Sequence, residues 1–195
     1  MSSSRTTGVS TRALWGGPLA CVLLLAACGP GGGSDTVSQP LPVASETIAL
    51  SSASFPDGGR IPSRYTCDGR GLSPLLQWSP SPSVAEYALF MTDPDAAGGT
   101  FVHLVMFGIS PTTEGVGEGQ GPPGARQAAN GFGGVGYGPP CPPAGDKPHH
   151  YVFTLYALSS VRTSGLESGA TAQDVLRRIS CCIESEGTLT GTYQR

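Results

Sequence analysis

Residues 136–158, GYGPPCPPAGDKPHHYVFTLYAL, decide the fold. The first half is a Gly/Pro-rich loop and the second half reads as a strand. Alternate residues of a strand share a face, so His149 and Tyr151 point the same way, with Phe153, Leu155 and Ala157 below them. His150, Val152, Thr154, Tyr156 and Leu158 take the other face. Both faces are largely apolar, the pattern of an inner strand covered on both sides. A proline-rich loop feeding such a strand makes a rigid rim, and rigid loops on a fixed scaffold are where binding groups are placed.

The preceding segments repeat the theme of short strands cut by turns. Residues 46–55 alternate weakly and predict a first strand, and Asp57-Gly58 marks a turn. Residues 73–78 predict a short strand and residues 85–92 an apolar one that runs into Asp93-Pro94-Asp95-Ala96. Residues 101–109 form the most apolar run, with His103 near its start. Residues 110–136 are Gly-rich, long and weakly patterned, and such loops often carry function. Thr171 to Ile179 predicts a helix: Thr171 can cap it, Asp174 stands at its positive end, and Val175, Leu176 and Ile179 form an apolar stripe. Residues 188–193 predict a last strand. With 29 Gly, 18 Pro and only 13% charged residues, the chain favours turns over helices, hence one mainly β domain. There is no basic block, so nucleic acid is not an expected partner.

The first 27 residues read as a leader to be set aside. Arg5 and Arg12 make a basic start, an apolar run follows, and Leu25-Ala26-Ala27-Cys28 resembles a bacterial lipobox in which Cys28 is lipidated after cleavage before it. Removal of residues 1–27 takes away two arginines and no acid, so the net charge of -3 becomes -5. Residues 28–44 then read as a flexible tether and 45–195 as the domain. Lipid at one end and a folded domain at the other describe a protein anchored to the cell envelope on its extracytoplasmic side. In a two-membrane cell, Gly29 after the lipidated residue favours the outer membrane by resemblance to the sorting rule.

Cys67, Cys141, Cys181 and Cys182 lie within the domain. Outside the cytoplasm they can oxidise, and because adjacent cysteines pair only with strain, Cys67–Cys141 is the first candidate bridge. There is no C-x-x-C and no metal-ligand spacing, so neither metal nor cofactor is expected.

Four features fall at strand ends: Asp93-Pro94-Asp95, His103, the Pro142-Pro143-Ala144-Gly145 loop, and His149-His150-Tyr151. If their strands share a sheet, these ends converge into a small polar pocket whose imidazoles, phenol and loop N–H groups suit an oxyanion. Taken singly, each has a plainer reading. A histidine at the start of an apolar strand is more often a hydrogen-bonded structural residue, Asp-Pro-Asp is a common turn, and Tyr151 could be core. No Ser, Cys or Lys stands in a nucleophile context and Gly-x-Ser-x-Gly is absent, so catalysis is not expected.

The full set of motifs resembles the phosphatidylethanolamine-binding protein (PEBP) family, also called the Raf kinase inhibitor protein family, and most closely its bacterial and archaeal YbhB/YbcL branch. The matching pieces are Tyr65-Thr66-Cys67-Asp68-Gly69, Thr92-Asp93-Pro94-Asp95-Ala96 with Phe101-Val102-His103, Asn130-Gly131-Phe132-Gly133, Cys141-Pro142-Pro143-Ala144-Gly145, His149-His150-Tyr151 and Gly191-Thr192-Tyr193. The resemblance implies a β-sandwich with a central antiparallel sheet and a few peripheral helices. It also implies an anion pocket of Asp93, Asp95, His103, Pro143, His149 and Tyr151, which would take a phosphate-bearing or other small anionic ligand without turning it over. On this reading His103 and His149 donate or carry positive charge, and Asp93 and Asp95 orient the imidazoles. Because eukaryotic relatives inhibit kinases or proteases, the alternative is an inhibitor or interaction module that meets a protein partner through the Gly/Pro-rich loops. The chain departs from the family pattern at Leu104, where relatives usually carry Trp, at Gly131, where Asp is commoner, and at Cys181-Cys182, set against a Gly-His whose histidine could close the pocket.

Overall fold

The structure is a computed structural model that describes residue 36 and residues 40–195, Pro82 excepted. The leader, Cys28 and most of the tether lie outside the described residues. Two sheets make the body. The larger has six strands: β1 (Glu46–Thr47), β4 (Glu86–Asp93), β5 (Phe101–Ile109), β7 (Arg126–Gln127), β8 (His149–Leu158) and β9 (Ile183–Tyr193), in the order β1-β9-β8-β4-β5-β7. The smaller is β2 (Leu50–Ser51), β3 (Leu76–Trp78) and β6 (Gly115–Val116), in the order β2-β3-β6. Every pairing is antiparallel except the short β1–β9 edge.

Alternation along the inner strands builds two cores. Tyr87, Leu89 and Met91 of β4, with Phe153 and Leu155 of β8, pack with Leu50, Leu76 and Trp78 of the small sheet. Ala88 and Phe90, with Tyr156 and Leu158, face the other way onto Val175, Leu176 and Ile179 of the helix α1 (Ala172–Ile179). All eight residues of β4 are buried, as expected of a strand covered on both faces. The helix starts at Thr171, whose hydroxyl accepts from the Asp174 backbone N–H while the Asp174 carboxylate accepts from the Thr171 N–H.

Three elements differ from the expectation. Residues 46–55 are not one strand: β1 joins the large sheet, and three residues later β2 joins the small one. The weak alternation there reflects a chain that changes sheets. The long 110–136 loop contains β6 and β7. The last strand begins at Ile183, five residues early, because its first half is polar and only half-buried. Cys181 and Cys182 immediately precede it, beside Leu158, at the end of the antiparallel β8–β9 pair opposite His149. They therefore cannot stand in for a residue that closes a pocket at the His149 end. Leu41, assigned to the tether, packs against the helix-side core, and the Tyr156 hydroxyl donates to the Pro42 carbonyl at 2.9 Å.

Candidate ligand-binding site

Antiparallel pairing sets the site. β4 and β8 run side by side, with Thr92 opposite Val152, so the C-terminal end of β4 meets the N-terminal end of β8. β5 starts on the other side of β4, with Phe101 opposite Asp93. Between Met91–Leu104 and Thr92–Val102 the register slips, leaving His103 as an extra residue on β5. Such a bulge re-aims a side chain. Leu104 stays in the core between the sheets and His103 joins the face that carries Tyr151, with ring centroids 5.1 Å apart. The His149 ring lies 6.5 Å from that of Tyr151, the two planes 24° apart.

These groups line a hollow of about 220 Å³, together with Asp93, Asp95, Pro143, Phe101, Phe132 and Asp146. All six residues singled out in the sequence reach it. The Cys141-Pro142-Pro143 wall is tied down by a Cys67–Cys141 bridge whose Cα atoms are 5.4 Å apart. Asn130, 4% exposed, shapes the opposite wall. Its side chain donates to the Gly136 carbonyl at 2.9 Å and accepts from the N–H groups of Phe132 and Gly134 at 3.0 and 3.2 Å. Gly131 lets the Phe101 ring lie close, since a Cβ there would stand 2.5 Å from the ring edge and the ring would have to shift. The Phe101 and Phe132 rings meet edge to face at 4.8 Å.

The polar floor has defined partners. The His103 Nδ1–H donates to the Gly138 carbonyl at 2.7 Å, which leaves Nε2 for a ligand. Burial pushes this imidazole below its ordinary value, against the pull of the Gly138 carbonyl and Asp93, so at neutral pH it is uncharged and its Nε2 is an acceptor. The His149 Nδ1–H donates to Asp93 Oδ2 at 2.7 Å, and Asp146 stands 3.8 Å from its Nε2. Asp93 Oδ1 accepts from the Asp95 N–H at 2.8 Å. Asp95 itself is committed elsewhere: its carboxylate accepts from the His150 N–H at 2.7 Å and lies 2.8 Å from His150 Nδ1, and the backbone bond chiefly holds it below the usual carboxylate range. It orients His150, on the outer face, rather than an imidazole of the pocket.

Tyr151 is the exception to this pairing. Its hydroxyl is buried and has no hydrogen-bond partner in the protein. Desolvation, then Asp93 and Asp95, push its pKa well above the ordinary phenol value, so it remains a donor. A buried, unpaired donor costs about 1–3 kcal/mol until something accepts from it. Phe101, Phe132 and Asp146 were not singled out as site residues from sequence. Asp146 lies three residues before His149 and could have been found by that spacing; the two rings lie on segments whose sequence gives no sign that they converge.

The comparisons with known proteins agree with this architecture. Residues 51–194 match the family model described as phosphatidylethanolamine-binding protein. A Mycobacterium tuberculosis protein named "Putative lipoprotein LppC" is 36% identical over the full length of both chains. A UPF0098 protein of Methanothermobacter thermautotrophicus is 43% identical across 75% of this chain and 98% of its own. Among solved structures, the PEBP homolog CT736 of Chlamydia trachomatis superposes with a TM-score of 0.71 at 34% identity, over 77% of this chain and 99% of that one. Escherichia coli YbcL, described as a member of the mammalian PEBP family, gives 0.71 at 28% identity, over 76% and 98%. The chain belongs to the phosphatidylethanolamine-binding protein family.

Proposed function

We propose that the chain is a lipid-anchored, non-catalytic binding protein of the cell envelope, held on the extracytoplasmic side through Cys28, and that its pocket takes a small phosphate-bearing or other oxyanionic ligand. The observation that carries this reading is the Tyr151 hydroxyl, a buried donor without a partner in a hollow lined by two imidazoles. Tyr151 donates to a ligand oxygen, and Asp93 holds His149 in position. The full-length similarity to a protein named as a lipoprotein supports the anchor.

The charge balance narrows the ligand. Among the described residues, Asp93, Asp95 and Asp146 line the hollow and no Lys or Arg does. A multiply charged anion would meet repulsion there. A group that brings its own proton, such as a phosphate monoanion, can donate to the His103 Nε2 lone pair and accept from Tyr151 at once. Calorimetric titration of phosphate and phosphoethanolamine into the wild type and His149→Ala tests the assignment. The expected result is binding by the wild type with at least tenfold weakening in the variant. Equal heats for both proteins would remove His149 from the site.

A further inference from the structure

Far from the pocket, a buried carboxylate organises a second constellation. Glu86, at the start of β4, is 2% exposed. Its Oε2 accepts from the backbone N–H groups of Arg162 and Thr163 at 2.9 and 3.4 Å, and its Oε1 accepts from the Gly108 N–H at 3.0 Å and from the Thr163 hydroxyl. A buried carboxylate with four donors fixes the segment that supplies them. Arg162 is thereby presented to the β8–β9 end, where its Nε–H donates to the Cys182 sulfur at 3.0 Å. Cys182 is pinned as well, since its N–H donates to the Ile179 carbonyl and its own carbonyl accepts from the Ser159 N–H, both at 3.0 Å. Cys181 and Cys182 are the free thiols among the described residues, the first exposed and the second half-buried.

We propose that Cys182 is a thiol-modification site, where the sulfur takes up a small-molecule disulfide as a mixed disulfide and Arg162 activates it. The Cys182 thiolate attacks one sulfur of R–S–S–R. The Cys182–S–S–R bond forms as the R–S–S–R bond breaks. The departing thiolate leaves with the electron pair and takes up the proton that Cys182 released. The exchange needs no oxidant beyond the disulfide itself. The Arg162 guanidinium on the Cys182 sulfur favours its thiolate, whereas the Cys181 S–H donates to the Arg178 carbonyl at 3.7 Å, a contact that holds the proton, so the two sulfurs are unequal nucleophiles. Cys181 resolves the adduct poorly: adjacent Cα atoms stand about 3.8 Å apart, short of the roughly 4.4–6.8 Å a relaxed disulfide spans.

The test incubates the full chain with glutathione disulfide across a pH series and locates the adduct by tandem mass spectrometry. The expected outcome is an adduct on Cys182 formed several times faster than on Cys181. Arg162→Gln slows it several-fold and moves the pH midpoint of the rate upward, and Arg162→Lys restores part of the loss. Preferential reaction at Cys181, or an Arg162→Gln variant with unchanged rate and midpoint, overturns the proposal.

Discussion

Under the proposed function, His103 joins stability and ligand binding through one proton. Its folded-state pKa lies below the ordinary value because burial disfavours the charged ring. The unfolded chain therefore takes up the proton first as pH falls. The stability that His103 contributes is present above its ordinary value of about 6.5 and is lost as pH drops towards the folded value. Urea midpoints measured between pH 7.5 and 5.5 should fall for the wild type and fall less for His103→Gln. The effect on ligand is opposite, because one proton must lie between Nε2 and the phosphate oxygen, and lower pH supplies it whichever of the two carries it. Phosphate should therefore raise the melting temperature more at pH 5.5 than at pH 7.5, and a protection that grows with pH would contradict the role given to His103.

At the scale of elements, the pocket walls are loops made rigid by specific bonds. Asn130 makes three hydrogen bonds that no substituted aliphatic could replace. At about 1 kcal/mol net for each, Asn130→Ala should cost about 2–3 kcal/mol in denaturant melts and should weaken ligand binding by releasing Phe132. The opposite wall depends on Cys67–Cys141, which spans 74 residues. The loop-entropy relation puts that bridge at about 4 kcal/mol, so the Cys67→Ser/Cys141→Ser pair should melt well below the wild type. A double variant as stable as the wild type would show that the neighbouring turns hold the loop unaided.

Strand β8 was legible because its alternation is strong and both faces are buried, and so were β4, β5 and the capped helix. Residues 46–55 were misread because a strand that switches sheets after two residues leaves no sustained period. The placement of His103 was not legible, since regular alternation puts residues 102 and 104 on one face and only the bulge separates them. The resemblance gave Asp95, with Asp93, the task of orienting the pocket imidazoles, yet its carboxylate turns to His150. Motifs named residues that line one hollow; the register of three strands decided which atoms face it.

For the whole molecule, two sheets and a helix hold a hollow in which, among the described residues that line it, the Tyr151 hydroxyl is the one buried side-chain donor without a partner. Removing that oxygen should separate binding from folding. The direct measurement is a pair of readings on Tyr151→Phe: phosphate affinity by calorimetry at pH 6, and the midpoint of urea unfolding without ligand. The expected result is affinity reduced at least tenfold with stability unchanged or raised, because the deleted hydroxyl was unsatisfied in the free protein. Unaltered affinity, or a loss of stability of more than about 1 kcal/mol, would contradict a ligand site built around this hydroxyl.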